Sequence, residues 1–290
     1  MDNSAAIKNK KFHRIAFTKR LINQAIKYFL LLFVSFVMLI PIYWMIATAL
    51  KPNDVLLAWP PRFIPNPISL SSFERIMRIM PVPRFLMNSL IVAAIVIVSN
   101  LIFCSLAAYT LARKQFRGSD FLFKMALGAM MVPVHVRVIP MYMLALELKI
   151  DNSYLGIAAP LMVTGFGIFL MRQFFSTLPR DIEDAAFIDG CNDWSVLFKI
   201  VMPMSRPAMA SLAIFSFVWA FDDFLWPVIL VNSVNLRPIQ LGITLFMGYQ
   251  VEDWGAVMAC ATVTAAPLLI MYLFIQDLFI EAMTHGAVKG

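Results

Sequence analysis

The stretch LPRDIEDAAFIDGCNDWSVLFKIVMP, residues 178–203, lies between two apolar segments and has the pattern of two short helices joined by a turn. Asp181 is a typical N-cap residue for the first helix, and Asp184, three residues on, completes a capping-box pattern. Gly190 is placed to end that helix in a left-handed conformation. The two alanines that follow Asp184 would give the helix a low-relief face that a partner could approach closely.

The second half of the stretch predicts another short helix. Asp193 has the position of its N-cap, and Pro203 predicts its end, because proline cannot continue a helix. The whole stretch therefore predicts a compact helix–turn–helix on a loop.

The rest of the chain has the composition of a membrane protein. Of its 290 residues 61% are hydrophobic and 14% charged, and the mean hydropathy is +0.78; soluble domains are nearer half apolar and a quarter charged. About 20 apolar residues span a bilayer as a helix. The stretches that qualify are Tyr28–Leu50, Leu86–Ala112, Phe121–Leu146, Tyr154–Met171, Ala208–Val231 and Ala256–Ile280.

These stretches predict an all-α, polytopic membrane protein with six transmembrane helices. The predicted organisation is an N-terminal tail over 1–27, a transmembrane domain over 28–280 that contains the loop 178–206, and a C-terminal tail over 281–290.

The positive charges indicate how the chain is oriented. Of the 24 Lys and Arg residues, those in the two tails and in the second and fourth loops outnumber those on the other side by more than two to one. Basic loops stay in the cytoplasm, so both termini and the loop 178–206 are predicted to be cytoplasmic. The net charge of +7 is then an orientation signal rather than a sign of nucleic-acid binding.

The first span has the flanks of an uncleaved helix. Ala47-Thr48-Ala49 looks like a signal-peptidase site, but the apolar run before it is too long for a signal peptide. The proline-rich segment after it, residues 51–84, is predicted to be extended on the external side, with a short helix near Ser71–Met80. Its apolar residues, such as Trp59, predict packing over the external mouth or contact with an external partner.

The loop resembles the "EAA" loop found in permease subunits of bacterial ATP-binding-cassette importers. That pattern is Glu-Ala-Ala, three residues, Gly, nine residues, Ile, one residue, Leu-Pro. The matching residues here are Asp184-Ala185-Ala186, Gly190, Ile200 and Met202-Pro203, with Asp in place of Glu and Met in place of Leu. Stretches that resemble the carbohydrate-uptake branch of this family are residues 59–67 (WPPRFIPNP), 224–227 (FLWP), 253–255 (DWG) and 286–290 (GAVKG).

The resemblance implies that the loop carries a coupling helix, which sits in a cleft of a cytoplasmic ATPase. The residues implied in coupling are Asp184, Ala185, Ala186, Gly190, Ile200 and Pro203. The last two are expected to anchor the loop to the next span, and helix capping alone remains an alternative role for Asp184.

The resemblance also implies partners. They are a second permease subunit, usually a different chain in this branch, two ATP-binding cassette subunits and an external solute-binding protein. The expected location is the bacterial inner membrane, and the expected solute is a carbohydrate. The chain has no Gly-x4-Gly-Lys-Ser/Thr sequence, so ATP hydrolysis is expected in the partner rather than here.

Ionisable and aromatic residues inside the predicted spans are candidates for the solute path, because charges at bilayer depth usually face a cavity or a partner. They are His135, Arg137, Trp219, Asp222, Asp223 and Trp226. Aromatic faces stack on sugar rings and polar groups hold hydroxyls, while a cationic Arg137 would favour an anionic solute such as a uronate oligosaccharide. An ion pair of Arg137 with either aspartate that merely joins two helices is the alternative, as is interfacial anchoring for the tryptophans.

The spacing of these residues makes two structural predictions. Trp219, Asp222 and Trp226 fall at i, i+3 and i+7, which places them on one face of a helix, with Asp223 about 100° away. In the third span, Pro140 leaves a carbonyl without its helical partner, so the helix is predicted to be irregular there.

Other classes of protein find less support in the sequence. The histidines His13, His135 and His285 are far apart and the three cysteines are scattered, so neither a metal nor a cofactor is expected, and no catalytic constellation indicates an enzyme. The alternatives that stay open are an importer permease for a glycerol phosphate-type solute, an ion-coupled secondary carrier and a pore or scaffold subunit.

Overall fold

A computed structural model describes residues 3–56, 58–114, 116–247 and 253–287, with side chains from residue 20 onward up to 274 and at 276. The basic side chains at the start of the N-terminal tail, the side chain of His285 and residue Lys289 therefore lie outside the described part. Within that part the chain forms helices and no β-strand, which confirms the all-α class.

Fifteen α-helices follow one another along the described chain. They are α1 (Asn3–Ala49), α2 (Ser71–Ile79), α3 (Val82–Ser99), α4 (Ser105–Arg113), α5 (Ser119–Met130), α6 (Val134–Glu147), α7 (Tyr154–Ala158), α8 (Gly165–Thr177), α9 (Arg180–Ile188), α10 (Asp193–Val196), α11 (Met202–Met204), α12 (Arg206–Asp222), α13 (Leu225–Leu230), α14 (Ile239–Gly242) and α15 (Trp254–Ala287). One turn of π-helix, Asn100–Cys104, joins α3 to α4, and another, Leu197–Val201, joins α10 to α11.

The described helices can supply as many as six membrane spans. Three are long and apolar enough alone: Arg20–Ala49, Val82–Arg113 and Trp254–Phe274. Three more arise if each bent pair counts as one span: α5 with α6 at 104°, α7 with α8 at 52°, and residues 193–204 with α12 at 83°. The number agrees with the predicted six, but half of the predicted spans are bent.

The predicted span Ala208–Val231 is not one helix. Residue Asp222 ends α12, and Asp223 takes an extended conformation (φ −68°, ψ 119°) before α13 begins at Leu225. The backbone N–H of Trp226 donates to Asp223 Oδ1 over 3.4 Å, so the aspartate side chain serves the start of α13. Aspartate side chains often bond nearby backbone N–H groups in this way and so interrupt a helix. A prediction based on apolar residues alone does not take this effect into account.

The break in the third span also lies elsewhere than predicted. Pro140 stands inside the continuous helix α6, whereas the bend falls before α6, at Pro133. Proline disfavours helical geometry in the residue that precedes it, so the chain turns between Met131 and Val134.

The helices pack into two apolar clusters. One contains the fully buried Phe85, Phe221 and Leu230, and the other contains Met171 and Phe175 beneath the loop 178–203. The apolar face of α1, by contrast, is exposed along most of the span Arg20–Ala49, and burial begins only at its last residues, Ala47–Ala49. So much apolar surface suits lipid or a neighbouring subunit rather than water, because exposing it to water costs about 25 cal/mol per Å².

The predicted short helix after the first span is confirmed as α2, which packs against α15. Arg75 Nε on α2 lies 2.7 Å from Asp253 Oδ2, and Asp253 also accepts a hydrogen bond from Ala256 N over 3.0 Å as the N-cap of α15. Gly255 lets the two helices meet, because a Cβ there would lie 2.6 Å from Ser72 Oγ.

Candidate functional site: the connecting loop and a polar cavity

The first helix of the connecting loop, residues 178–206, begins earlier than predicted. Pro179 is extended (φ −61°, ψ 133°) and precedes α9, with no side-chain cap. Asp181 is therefore already helical in the first turn and cannot be the N-cap, whose backbone must be non-helical. Asp184 loses its predicted capping-box role for the same reason, and its side chain is exposed to solvent.

The turn at the end of α9 follows the prediction. Gly190 has φ +86°, in the left-handed region, and nothing lies within 4 Å of a Cβ added there. The N–H of Cys191 donates to Ala186 O over 2.9 Å, which satisfies a carbonyl at the helix end. Any other residue at position 190 would therefore meet backbone strain rather than a steric clash.

The second helix of the loop is capped by Asn192 and not by Asp193. Asn192 is extended, and its Oδ1 accepts from Ser195 N over 2.9 Å. Asp193 is then the first helical residue, and its carboxylate pairs with Lys114 Nζ at 2.6 Å.

Pro203 lies inside the last turn instead of ending the helix, which continues to Met204. The preceding π turn, Leu197–Val201, is wider than an α-helical turn and accommodates the proline ring. Pro203 is exposed, while Ile200 is half-buried against the apolar cluster beneath the loop.

The loop presents a mixed polar and apolar surface. Asp184 and Ala185 are exposed, whereas Ala186 is 7% exposed and packs inward. Ile188 is 87% exposed and Trp194 62% exposed. These two large apolar side chains are therefore open to solvent beside the exposed Asp184 and Ala185.

A residue that the sequence analysis missed holds this loop to the body of the protein. Glu183 is 6% exposed, and its Oε2 accepts from the hydroxyl of Tyr109 over 3.1 Å. Its Oε1 lies 2.7 Å from Arg113 Nε, an ion pair without aligned hydrogen-bond geometry. Arg113 Nη2 also donates to Leu178 O over 2.9 Å.

One signal in the sequence could have revealed this residue. Glu183 lies three residues before Ala186, so both occupy the same face of α9, and that face is the one that packs inward. A carboxylate on the buried face of a helix needs a cationic partner, and Arg113 directly follows the predicted span Leu86–Ala112 on the same side of the membrane.

The second candidate site is a cavity of about 480 Å³ between α6, the 3₁₀ turn that follows α7, α12 and α13. The candidate path residues that line it are Arg137, Trp219, Asp222, Asp223 and Trp226. His135 is not among its lining residues. A smaller cavity of about 270 Å³ shares Arg137 and Trp226 with it.

The prediction that Trp219 and Trp226 share one helix face was wrong, although both residues line the cavity. Trp219 lies on α12 and Trp226 on α13, so the break at Asp223 separates them, and they do not share a helix face. Trp226 is buried and its Nε1 donates to Gly156 O over 2.9 Å. Trp219 packs edge-on against Phe166.

The charges of the cavity are not paired with one another. Within the described residues neither aspartate lies within 4.0 Å of the Arg137 guanidinium, so the ion pair considered as an alternative is not formed here. Asp222 Oδ1 instead accepts from Gln240 Nε2 over 3.1 Å, and Gln240 belongs to α14. The cavity therefore offers a cation, two carboxylates and an aromatic wall.

Comparison with known proteins assigns the chain to a family. Residues 101–285 match the family described as binding-protein-dependent transport system inner membrane component, and the chain belongs to that family. It is 30% identical to the trehalose/maltose transport system permease protein MalG of Thermococcus litoralis, over 88% of this chain and 93% of the relative. It is 28% identical to the arabinooligosaccharides transport system permease protein AraQ of Halalkalibacterium halodurans, over 89% and 94%.

The fold matches a solved importer as well. The crystal structure of a bacterial ABC transporter involved in the import of the acidic polysaccharide alginate superposes with a TM-score of 0.79. That match covers 89% of this chain and 96% of the other, at 21% sequence identity.

These matches establish the chain as a membrane permease subunit of a binding-protein-dependent importer. The resemblance and the fold class predicted from the sequence are thereby confirmed. The assignment favours the importer over the ion-coupled carrier.

Proposed function

We propose that this permease forms half of a carbohydrate path and is driven by a separate ATPase that docks on the connecting loop. The observation that carries the proposal is the solvent-exposed surface of α9 and α10, which is formed by Asp184, Ala185, Ile188 and Trp194. On the opposite side of α9, the buried Glu183 and Ala186 hold the loop to the body of the protein. A partner cleft with apolar walls and a basic rim would complement this surface.

The proposed assembly has four kinds of component. The loop 178–206 and both chain termini lie in the cytoplasm, and two ATPase subunits hydrolyse ATP there. A second permease chain, different from this one, supplies the other half of the path. An external solute-binding protein delivers the solute at the opposite side of the bacterial inner membrane. The bias of Lys and Arg toward the loop side supports this orientation.

The proposed solute is a carbohydrate, and its path passes the 480 Å³ cavity. Relatives named for arabinooligosaccharides and for trehalose and maltose support the solute class. The cavity volume falls within the range of about 300–1,000 Å³ that is usual for small-molecule sites. Trp219 offers aromatic surface for sugar stacking, and Arg137, unpaired with either aspartate, offers a charged donor to a carboxylate or hydroxyl of the solute.

The docking part is tested by purifying the assembly in detergent with wild-type permease and with Gly190→Arg. Arginine at φ +86° strains the turn by about 1–2 kcal/mol and should displace α9 from its place. We expect the ATPase to co-purify with wild type and to be released by the variant, or its hydrolysis to be uncoupled from uptake. Retention of the ATPase with coupled uptake in the variant would show that the loop is not the docking element.

The solute part is tested with Arg137→Gln, which removes the charge and keeps much of the side-chain volume. The assay is uptake of labelled uronate oligosaccharide and labelled neutral oligosaccharide in competition. We expect the preference for the charged solute to fall by about tenfold or more, as a charge-assisted hydrogen bond of about 1.5–3 kcal/mol is lost. An unchanged preference in the variant would rule out Arg137 as a contact for the solute.

A further inference from the structure

The helix that runs from Val82 to Arg113 touches both functional regions of the molecule. It is 32 residues long and includes the π turn Asn100–Cys104. At about 1.5 Å per residue it extends for about 48 Å, longer than the apolar thickness of a bilayer. We call it the long helix.

One end of the long helix is fixed to the connecting loop by buried contacts. Tyr109 and Arg113 hold the Glu183 carboxylate at 3.1 and 2.7 Å. The Arg113 and Glu183 side chains are only 7% and 8% exposed, so water competes little for them. Lys114 and Asp193 form a second ion pair at this end, but their side chains are 43% and 54% exposed, so that contact is expected to contribute little.

The other end of the long helix is fixed to a second segment, residues 232–242, which we call the far turn. Asn88 Nδ2 donates to the carbonyls of Asn235 and Arg237, each over 2.9 Å. Ser89 Oγ accepts from the backbone N–H of Ile239 over 2.9 Å. These contacts are directional and largely buried, so the far turn should move with the helix that holds it.

The far turn also contacts the wall of the cavity. Gln240, one residue after Ile239, donates to Asp222 Oδ1 over 3.1 Å, and Asp222 lines the cavity. A displacement of the far turn would therefore shift a polar group in the cavity wall.

A third buried contact lies midway along the long helix. Asn100 Oδ1 accepts from Thr164 Oγ1 over 2.9 Å, at the bend between α7 and α8. Asn100 is fully buried and lies about 18–20 Å from both Asn88 and Arg113 at the rise of an α-helix. A helix held at its centre and at both ends can pass a displacement of one end on to the other.

We propose that the long helix transmits displacement of the connecting loop to the far turn and so to the cavity, with Glu183 and Asn88 as positioning residues at its two ends. The proposal rests on the proposed docking of the ATPase at the loop. Directional polar contacts suit this role because they keep one register, whereas purely apolar contacts allow neighbouring helices to slide.

The test follows nucleotide-driven movement of the far turn in the complete importer in lipid nanodiscs. Spin labels are attached to cysteines at Val234 in the far turn and at Met77 on α2, both exposed, with Cys191 replaced by Ser. Pulsed electron paramagnetic resonance measures the ratio of shifted to unshifted distances with ATP and vanadate. In wild type we expect nucleotide to change this ratio.

The decisive comparison is a double-mutant cycle of Glu183→Gln and Asn88→Ala. We expect each single variant to reduce the nucleotide effect on the ratio by about fivefold, the lower end of ordinary coupling between sites. The double variant should also lose about fivefold and not about 25-fold, because both residues act through one helix. The matched control Asp120→Asn on α5, which removes the exposed Arg172–Asp120 ion pair outside the docking surface, should keep the wild-type ratio.

Several results would overturn the proposal. The first is a loss of the nucleotide effect in the double variant that equals the product of the two single losses. The second is an undiminished nucleotide effect in either single variant. The third is the absence of any nucleotide effect in the wild type. Because Glu183→Gln leaves a buried arginine unpaired, the pair variant Arg113→Met with Glu183→Met is measured too, since apolar pairs often replace buried ion pairs without loss of stability. It should show the same loss, and a wild-type ratio in it would also overturn the proposal.

Co-purification of the ATPase is scored in each preparation, which separates this inference from the function on which it rests. A wild-type complex that lacks the ATPase contradicts the proposed function. A bound ATPase together with a normal distance shift in the variants contradicts only the role of the long helix.

Discussion

At the scale of single residues, the glycines of this protein serve different purposes. Gly190 allows the left-handed backbone angle φ +86° in open space, whereas Gly255 allows α2 and α15 to pack closely. At position 255 an added Cβ would lie 2.6 Å from Ser72 Oγ and 3.0 Å from Leu56 Cδ1. Side chains at such separations must move, so Ser72 on α2 and Leu56 in the segment before α2 would have to shift.

We therefore expect Gly255→Ala to destabilise the protein by about 1–3 kcal/mol, the usual range for overpacking. The measurement is the thermal unfolding midpoint in detergent. The matched control is Gly128→Ala on α5, where nothing lies within 4 Å of the new Cβ and where alanine favours the helix by about 0.5–1 kcal/mol. A midpoint for Gly255→Ala equal to that of the control would mean that α2 does not pack on α15 as described.

The residues of the connecting loop show which details the sequence could supply. Gly190 was predicted correctly because a left-handed turn has a strong residue preference. The caps were misplaced by one or two residues, since Asn192 and Asp193 both suit an N-cap and only the fold decides which backbone is extended. Glu183 was missed because its partners, Tyr109 and Arg113, are distant in sequence.

At the scale of helices, hydropathy predicted where apolar stretches lie but not whether they are straight. The spans that contain α1, α3 with α4, and α15 emerged as long helices, although α1 contains Pro41 and α15 contains Pro267. The bent ones carry prolines or aspartates, whose effect depends on geometry: Pro140 is accommodated in α6 while Pro133 coincides with a bend. Such differences require knowledge of neighbouring helices.

The break between α12 and α13 gives a prediction that separates capping from charge at Asp223. Asparagine can accept the bond from Trp226 N that Asp223 now accepts, whereas alanine cannot. We expect Asp223→Ala to cost about 1 kcal/mol of stability and Asp223→Asn to cost little, measured as thermal unfolding in detergent. Equal losses in the two variants would indicate that the carboxylate charge, rather than the cap, holds the break.

At the scale of the whole molecule, the proposed orientation in the membrane rests on the charge bias and can be tested by chemical labelling. Ile188 in the connecting loop is 87% exposed and Trp59 in the proline-rich segment is 90% exposed, and an odd number of predicted spans separates them. A cysteine at either position should react with a membrane-impermeant maleimide from one side only. Native Cys191 is replaced by Ser, while Cys104 and Cys260 are buried and remain.

In membranes that contain the permease without its ATPase, we expect Trp59→Cys to be labelled in intact spheroplasts and Ile188→Cys only in inverted vesicles, as a cytoplasmic connecting loop requires. A cysteine at Leu32 on the exposed face of α1 should resist the reagent from both sides, because lipid or the second subunit would cover it. Labelling of Ile188→Cys from outside would reverse the orientation, and an ATPase could then not reach the loop. Equal labelling of positions 59 and 188 from one side would instead mean that the bent helices between them do not supply the expected odd number of crossings.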